Sequence, residues 1–576
     1  MRRVGAVAAA ATLAMTMSTT QAVADGNNGG RYDQPYHGFA PGSTELRWST
    51  PQQAGLDPAP IDAALTAVDG WTRPNGTAKP LFAGAVTLLA HNGKIVTRTA
   101  TGKALKYADG AGTELPADQQ VAMRTDTIFD MASVSKLFTS IVVMQQVEAG
   151  RVDLDAPVAT YVPEFGQNGK ESITVRQALT HTTGLPAWLP LWSAQPDPPS
   201  RLQMALTAAL RNPPGSTYLY SDLNLIALGE VVHRVSGKPL DELVADGIAV
   251  PLAMPDTGYN PDPAKLDRIA ATEYQVSPPR GMVRGSVHDE NAWSLDGVAG
   301  HAGVFSTADD LAKLAQALLN GGTYEGQRIL SEDSVELMIT NFNQAFPGND
   351  HGLGFELNQR WYMSGLSGPR TAGHTGYTGT SMVIDFDSRS FAILLTNRVH
   401  PSRNWGSNNP ARRAVAQGLA ESLAVDPRHG KDAWFTGTKD ATTSTLTTTL
   451  AVPAEGARVG FDLFVDSEQT DWLYLETSAD GGTTWTKVPF DVRDRDEVTQ
   501  TDGAFTTSGD RRWLQASAAL PAGPQQLRWR YTTDSLYVGR GVFVDGVKVI
   551  AGDQLLLDGE RNPSAFVANG WRLANR

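Results

Sequence analysis

The sequence predicts a protein of two domains. An α/β (α+β) domain, with an antiparallel sheet flanked by helices and a helical lobe, precedes an all-β, jelly-roll-like sandwich. Three observations support this. The chain has 576 residues, whereas a single core stops growing at about 250 to 300. Strand patterns stand at both ends of residues 83–397, with helical patterns between them. Beyond residue 445 only short alternating strands recur.

The first domain, predicted over residues 45–425, holds the sheet. Residues 83–90 and 94–99 alternate like two strands around an Asn-Gly turn, which predicts a hairpin. Residues 380–385 and 391–397 are again strand-like. We therefore expect one sheet assembled from distant parts of the chain, with ordered structure beginning at about residue 45.

Between these strands, apolar residues recur at helical spacing. Each helical stretch ends in Asn, Gly or a Pro-rich turn, which are common stop signals. This pattern predicts a helical insertion that covers the sheet. The predicted helices span about 133–147, 201–211, 222–236 and 308–320.

The second domain is predicted over residues 445–576, after a linker at 426–444 where the patterning breaks down. Its alternating apolar residues and the Asp-Gly-Gly turn at 480–482 are typical of a β-sandwich. These stretches resemble the sandwich modules appended to secreted bacterial hydrolases. Trp472 and Trp485 are compatible with sugar stacking in such a module, but their place in alternating strands favours core packing.

Composition and charge exclude several classes of function. Hydrophobic residues make up 41% of the chain and charged residues 19%, as in a globular protein. The net charge of -13 repels phosphate backbones, so nucleic acid is not an expected partner. The sequence has no cysteine, which excludes disulfides, a thiolate nucleophile and a Cys-based zinc site. We expect no cofactor and no metal, and a nucleophile that is an oxygen or a lysine.

Residues 1–24 have the pattern of a bacterial export signal. Arg2 and Arg3 precede an apolar run of about 12 residues, and the small residues 22–24 stand before Asp25. A membrane-spanning helix needs about 20 apolar residues, so cleavage is favoured over anchoring. We predict a secreted protein with no membrane contact after signal cleavage.

Ser133 and Lys136 form an S-x-x-K motif at the start of an apolar helix. Their spacing puts both side chains on one helical face, where the amine can reach the hydroxyl. Backbone N–H groups at a helix N-terminus also favour negative charge on a nearby oxygen. Taken alone the motif is weak, since about one such match is expected by chance. Taken alone, it favours the interpretation as a capping serine and a solvated lysine.

Two further clusters strengthen the motif. Residues 220–222 (Tyr-Ser-Asp) stand at the entry to a predicted helix, and residues 374–376 (His-Thr-Gly) precede a predicted strand. Their order and wide spacing match the serine β-lactamase, DD-peptidase and related esterase family, whose motifs are S-x-x-K, Y-x-N and K-T-G or H-T-G. From about residue 45 to 425 the chain resembles this family, and the resemblance implies a β-lactamase/transpeptidase-like fold.

The resemblance implies a role for each motif residue. Ser133 would attack a substrate carbonyl and form an acyl-enzyme, while Lys136 and Tyr220 handle the proton. The backbone N–H groups of Ser133 and Tyr377 would form the oxyanion hole. The substrate-binding residues implied in this way are Asp222, His374, Thr375, Gly376 and Tyr377.

Two positions depart from the better-known β-lactamases. Asp222 replaces an asparagine, and its carboxylate near Lys136 would favour the ammonium form and leave Tyr220 as the better base. His374 replaces a permanently charged lysine, which turns the expected substrate away from β-lactams. We expect turnover of anionic substrates to rise below about pH 6.5, as His374 protonates.

The expected function is that of a secreted serine hydrolase acting on an amide, peptide or ester. A D-peptide or muropeptide, such as a peptidoglycan fragment, is the favoured substrate. An esterase or a weak β-lactamase is an alternative within this class. In another class, the chain would be a catalytically silent penicillin- or cell-wall-binding protein, although the intact set of Ser133, Lys136 and Tyr220 argues against this. The sequence leaves the oligomeric state open.

Other polar residues receive a structural interpretation. His181 and His301 stand in turns, and we predict that they form structural hydrogen bonds. Residues 288–290 (His-Asp-Glu) lack metal-ligand spacing and are interpreted as a solvated loop.

Overall fold

The computed structural model describes residues 30–576, so the predicted export signal lies outside the described residues. The first domain is built on an eight-stranded sheet. In chain order its strands are β1 (Arg47–Trp48), β2 (Gly84–His91), β3 (Lys94–Leu105), β4 (Val121–Ala122), β5 (Glu356–Leu357), β6 (Thr371–Thr375), β7 (Ser381–Asp385) and β8 (Ser390–Thr396). Their spatial order is β1-β3-β2-β8-β7-β6-β5, and β4 pairs with β3. Neighbouring strands are antiparallel except β1 and β3.

The sheet confirms the prediction that distant parts of the chain come together. β2 pairs along its length with β8, so that Ala90 lies opposite Phe391. The predicted hairpin joins β2 to β3. Asn92 and Gly93 both have positive φ, at 52° and 73°, as a type I′ turn requires.

The helices lie between and around these strands. Six are longer: α1 (Pro58–Gly70), α2 (Ser135–Glu148), α3 (Pro198–Leu206), α4 (Asp222–Ser236), α5 (Ala308–Leu319) and α6 (Asn409–Ser422). Shorter helices span Val158–Tyr161, Val175–Leu179, Leu191–Ala194, Leu240–Val244, Glu290–Ser294, Glu332–Met338 and Arg360–Met363. No helix within residues 30–576 combines the length and apolar character that a membrane crossing requires.

Helix boundaries follow local capping. The helix predicted at 201–211 instead spans Pro198–Leu206, because the Asp197 side chain accepts a hydrogen bond from the Ser200 N–H and starts it earlier. The helix predicted from residue 133 begins as a 3-10 turn, Ala132–Val134, and becomes α-helical at Ser135. This turn sets the orientation of Ser133.

Each face of the sheet is covered by a separate core. On one face, α2, α4 and α5 bury a large apolar cluster against the strands. On the other face, α1 and α6 pack along each other. This second core continues into the C-terminal domain through the side chains of Phe435, Phe464 and Phe543.

The C-terminal domain is a sandwich of two antiparallel sheets around an apolar core, as predicted. The eight-stranded sheet has the order Glu497–Gln500, Asp491–Asp494, Trp513–Leu520, Ala457–Asp466, Gly541–Ala551, Ala433–Phe435 and Arg572–Ala574, with Gln554–Asp558 beside Gly541–Ala551. The six-stranded sheet has the order Thr486–Lys487, Trp472–Ser478, Gly523–Thr532, Thr443–Val452 and Phe566–Asn569, with Ala504–Phe505 beside Trp472–Ser478.

Two expectations for this domain are wrong. The strand Ala433–Phe435 lies inside the predicted linker and pairs with two strands of the sandwich, because Ala433 and Phe435 are buried. The two tryptophans singled out for core packing lie outside the core. Trp472 is 36% exposed, and the Trp485 ring is covered by the guanidinium of Arg528 at 3.6 Å.

The N-terminal segment and the sandwich are both tied to the first domain. Tyr32 is buried, and its hydroxyl lies within hydrogen-bond distance of two acceptors, the Gly365 carbonyl at 2.7 Å and the Asp466 carboxylate at 2.8 Å. Arg511 of the sandwich forms a fully buried ion pair with Asp385 of β7, at 2.6 Å. Ordered structure therefore begins before residue 45, because residues near 32 fill the junction between the domains.

Candidate active site

Ser133 lies in the 3-10 turn that precedes α2. The preceding residue, Ala132, has a φ of 46°, a left-handed conformation that is unusual for a residue with a side chain. The turn is held in place because the Ala132 N–H donates to the Asp130 carboxylate at 2.8 Å. In turn, the Thr378 hydroxyl donates to the Asp130 carbonyl at 2.7 Å. These bonds fasten the turn to the loop that follows β6.

Lys136 lies one turn further along and contacts four groups. Its ammonium donates to the Ser133 hydroxyl at 2.9 Å and to the His301 carbonyl at 3.2 Å. It also forms an ion pair with Asp222, with Nζ 2.8 Å from Oδ1. The ring of Tyr220 lies 4.8 Å from Nζ. The structure thus brings together the four residues of the first two motifs.

The charges in this cluster are set by burial and by Asp222. Burial alone would lower the pKa of Lys136, but the Asp222 carboxylate and the Tyr220 hydroxyl outweigh it and raise the pKa above its usual value. Burial raises the pKa of Tyr220 to about 12, against the opposing effect of the Lys136 charge. At neutral pH the resting site therefore holds an ammonium and a neutral phenol.

Tyr220 and Asp222 are positioned by the start of α4. The Ser221 hydroxyl caps this helix by accepting the Leu223 N–H at 3.2 Å. The Ser221 N–H donates to Nδ1 of His181 at 3.1 Å, and the His181 ring packs 4.6 Å from that of Tyr220. His181 is therefore a structural hydrogen bonder, as predicted.

A second polar network lies behind Lys136. Asp289 accepts a hydrogen bond from Nε2 of His301 at 2.9 Å. His301 therefore forms a structural hydrogen bond, as predicted. Burial would raise the pKa of Asp289, but the neighbouring His301 lowers it overall. The ligand atoms of Asp222, Asp289 and His301 lie within 4.8 Å of one another, a spacing that suits a metal ion. The Lys136 ammonium, 2.8 Å from Oδ1 of Asp222, supplies a positive charge to one of these carboxylates.

The interpretation of residues 288–290 as a solvated loop is wrong. Asp289 caps the helix Glu290–Ser294 by accepting the Ala292 N–H at 2.8 Å. His288 is buried and bonds to the Glu273 carboxylate at 3.0 Å. The helix cap formed by Asp289 and the bond between His288 and Glu273 keep this segment within the folded domain. Neither interaction can be inferred from the spacing of residues 288–290 in the sequence.

The third motif lies at the end of β6. His374 and Thr375 pair with Met382 and Ser381 of β7. At Gly376 a side chain would overlap the Thr380 hydroxyl and the Met131 carbonyl, so glycine is required for the close approach of the two loops. The backbone after β6 thereby lies directly beside the turn that carries Ser133.

His374 is fully buried and neutral. Its Nδ1–H donates to the Thr375 carbonyl at 2.8 Å, which leaves Nε2 as an acceptor. Burial lowers the pKa of His374 to about 3, and the nearby Lys136 charge adds to this effect. The expectation that His374 protonates near pH 6.5 and attracts anionic substrates is therefore wrong.

A cavity of about 300 Å³ opens onto Ser133. Of the predicted residues, it is lined by Ser133, Tyr220, His374, Thr375, Gly376 and Tyr377. Lys136 lies beneath Ser133. Asp222, predicted to bind substrate, does not line the cavity and bonds to Lys136 instead. Its place makes it a positioning residue for the lysine.

Half of the cavity wall was missed by sequence reasoning. Arg412 of α6 is buried and donates to the carbonyls of Gly376 at 2.7 Å and Thr380 at 3.0 Å, which holds the loop after β6 in place. None of the three motifs includes these residues. The missed lining residues are Tyr218, Glu356, Arg398, Ser407, Asn408 and Arg412.

The fold is that of a serine hydrolase class, and Ser133 and Tyr220 line one of its cavities. The family model described as Beta-lactamase matches residues 75–417, more than half of the chain. The chain belongs to this family, and it is an enzyme of the serine hydrolase type.

Relatives and solved structures agree with this assignment. A provisionally named D-alanyl-D-alanine carboxypeptidase of Escherichia coli O157:H7 is 32% identical over 403 residues, covering 63% of this chain and 88% of the relative. An N-acetylmuramyl-L-alanine amidase of Bacillus subtilis (strain 168) is 31% identical over 350 residues, covering 55% of this chain and 78% of the relative. A penicillin-binding protein homologue from Caulobacter crescentus shares the fold, with a TM-score of 0.50 and 23% identity over 64% of this chain and 99% of that one.

Proposed function

We propose that the chain hydrolyses an amide, peptide or ester through an acyl-enzyme on Ser133. The contact that carries this proposal is the 2.9 Å hydrogen bond between Lys136 and the Ser133 hydroxyl, at the mouth of a cavity. A serine hydroxyl is a weak nucleophile near neutral pH and needs an adjacent group that takes its proton. Tyr220 lines the same cavity as Ser133, with its ring 4.8 Å from Nζ of Lys136, and is the group available for this task.

The proton is transferred to Tyr220 in its phenolate form. Lys136 cannot accept it while Asp222 keeps the amine protonated. With the pKa of Tyr220 at about 12, forming the phenolate at pH 7 costs roughly 7 kcal/mol. The positive charge of Lys136, 4.8 Å from the ring, lowers this cost relative to burial alone. Tyr220 then returns the proton to the leaving group, and water hydrolyses the acyl-enzyme.

The oxyanion is held by the backbone N–H groups of Ser133 and Tyr377. The close approach at Gly376, where no side chain fits, supports this assignment, because it brings the two loops into contact. The loop carrying Tyr377 is fixed by Arg412 and therefore needs no reorganisation as charge develops.

The proposed substrate is a D-peptide or muropeptide from the cell wall. The names of the relatives, a carboxypeptidase and an amidase, support this substrate class. The cavity is lined by two arginines, Arg398 and Arg412. It is also lined by the neutral His374, at the position where the better-known β-lactamases have a lysine. Export would place the enzyme where such substrates occur, and the pattern of residues 1–24 supports export.

The test compares the wild type with Ser133→Ala on three substrate classes. Peptidoglycan fragments, p-nitrophenyl esters and a chromogenic cephalosporin are each incubated with both proteins. We expect the wild type to turn over the peptide fragments and to turn over the cephalosporin only slowly. Ser133→Ala should turn over neither the peptide fragments nor the cephalosporin. Ester turnover without peptide turnover would reassign the enzyme as an esterase, and equal rates for the two proteins would refute Ser133 as nucleophile.

A further inference from the structure

The outer face of the eight-stranded sheet of the sandwich carries a groove of about 860 Å³. In the strands that form it, alternate residues pack into the apolar core of the sandwich, and the residues between them point outward into the groove. Further along the same face, Phe464 packs against the first domain. The groove is therefore a part of this face that the first domain leaves open. Its strands are Asp491–Asp494, Trp513–Leu520, Ala457–Asp466 and Gly541–Ala551.

The floor of the groove is formed at Gly460, inside the strand Ala457–Asp466. Ser517 and Lys548 lie opposite it on the two neighbouring strands. A side chain at Gly460 would meet nothing within 4 Å, so packing does not require glycine here. Glycine inside a strand lowers stability and often marks a bulge or a place where a ligand approaches closely. A register shift just after Gly460 bends the strand, as is common beside functional sites.

Long polar side chains around this floor have no partner in the protein. Arg493, Gln515 and Lys548 line the groove and form no hydrogen bond or ion pair with any of residues 30–576. Gln515 lies between Arg493 and Asp462 in one row across the strands. Its amide offers donors and an acceptor together. The groove therefore presents hydrogen-bonding groups of both kinds to a ligand.

The charges around the groove balance. Three cations and three carboxylates line it: Arg458, Arg493 and Lys548, and Glu455, Asp462 and Asp491. A balanced set does not concentrate a polyanion, which favours a neutral ligand. The two central strands are paired on both sides, so a peptide cannot add here as a further strand. Among the described residues that line the groove, Ile550 is the one exposed large apolar side chain, which is too little for a lipid or an apolar peptide.

We propose that this groove binds a neutral, N-acetylated glycan chain of the cell wall. The choice of polymer rests on the proposed function, because this chain carries the peptides that Ser133 would act on. Sugar hydroxyls donate and accept hydrogen bonds, which matches the mixed lining of the groove. The Gln515 amide can donate to the carbonyl of an acetamido group and accept from its N–H. A bound chain raises the effective concentration of its attached peptides at the first domain.

The test measures binding of two soluble chains to the intact protein by calorimetry. Chitopentaose is a pentamer of N-acetylglucosamine, and cellopentaose is the matching chain of glucose without acetamido groups. We expect chitopentaose to bind at least about tenfold more tightly than cellopentaose, because only its acetamido groups can pair with Gln515. Gln515→Ala should reduce this preference to about twofold or less.

A second variant blocks the groove. Gly460→Phe places a ring in the open space above the floor and should weaken chitopentaose binding at least about tenfold. Thr449→Phe is the matched control, because it adds the same ring at an exposed strand position on the other sheet. It should bind chitopentaose as the wild type does.

No measurable binding of chitopentaose would overturn the proposal. Undiminished binding by a folded Gly460→Phe protein, verified by its thermal unfolding midpoint, would overturn it as well. If Gly460→Phe does not fold, an unchanged preference in Gln515→Ala, at an exposed position, has the same consequence. Cellopentaose binding as tightly as chitopentaose would reject an N-acetylated chain, and tighter binding of polygalacturonate, a polyanion, would reject a neutral one. The proposed function fails by a different result, the absence of acylation at Ser133, so the two failures are distinguishable.

Discussion

Oδ1 of Asp222 lies 2.8 Å from Nζ of Lys136, in a cluster that excludes most solvent. This ion pair decides the protonation of the site. It stabilises the ammonium of the lysine, and it also makes the Tyr220 phenolate harder to form, because the negative charge raises the pKa of Tyr220.

Replacing Asp222 by asparagine should lower the pKa of both Lys136 and Tyr220. Each group would then lose its own proton at lower pH and become able to accept that of Ser133. The alkaline rise of the acylation rate should therefore shift down by at least about one pH unit. The measurement is the rate of Ser133 acylation by a fluorophosphonate across pH. Asp118→Asn, at an exposed position, is the control. A profile that Asp222→Asn leaves in place would show that this carboxylate does not set the protonation of the site.

Gly376→Ala should abolish most of the activity without unfolding the protein. The added methyl group would displace the loop after β6 from the Met131 carbonyl and move the Tyr377 N–H away from the oxyanion. Loss of one oxyanion donor lowers kcat by about a hundredfold or more. Acylation rate and thermal midpoint are measured together. Gly460→Ala is the matched control, since a side chain there meets open space. Normal acylation by Gly376→Ala would argue against this oxyanion hole.

The sandwich is expected to unfold together with the first domain. Arg511→Leu leaves Asp385 buried without its partner, which should cost about 3 to 5 kcal/mol of the free energy of unfolding. Arg512→Leu breaks an exposed pair with Asp494 and should cost less than about 1 kcal/mol. Denaturant unfolding, followed by tryptophan fluorescence and circular dichroism, measures both. Two separate transitions, or equal small losses, would indicate a loosely attached module.

Acid should destabilise the fold through buried histidines. Burial lowers the pKa of His91, His351 and His400 to about 4 and that of His374 to about 3, from an ordinary value of 6.5. The unfolded chain therefore binds more protons than the native protein between about pH 6.5 and 4. Stability from these residues is present above pH 6.5 and decreases as pH falls. Burial also raises the pKa of Glu356 and Glu468 to about 7 and that of Asp387 to about 6, and these carboxyls change stability in the opposite direction.

The free energy of unfolding at pH 7, 6 and 5 measures this slope. His91→Asn should reduce the slope near pH 5 by about 1.4 kcal/mol per pH unit, because it removes one proton that only the unfolded chain binds. A slope that His91→Asn leaves unchanged would contradict the burial of His91 in neutral form.

The sequence was sufficient to predict the sheet, the main helices and the motif residues. Alternation and an Asn-Gly turn define β2 and β3, and the three motifs identify residues that the fold brings to one cavity. The role of Asp222 was only half predictable. Its effect on Lys136 follows from charge, but its place behind the lysine depends on how α4 packs against α2.

Other features depend on tertiary structure alone. Glu356 and Arg412 belong to no motif, and they reach the cavity only through the pairing of β5 with β6 and the packing of α6. The neutrality of His374 could not be foreseen, because burial and not residue type lowers its pKa. The strand Ala433–Phe435 is too short to show a pattern, and its pairing partners lie more than one hundred residues away.

The central claim is that Ser133 is the nucleophile. The most direct measurement is intact-protein and peptide mass spectrometry of the wild type and Ser133→Ala after incubation with a fluorophosphonate at pH 8. The account predicts a single adduct on Ser133 in the wild type and none in Ser133→Ala. An unmodified wild type, or an adduct on another residue that persists in Ser133→Ala, would contradict it.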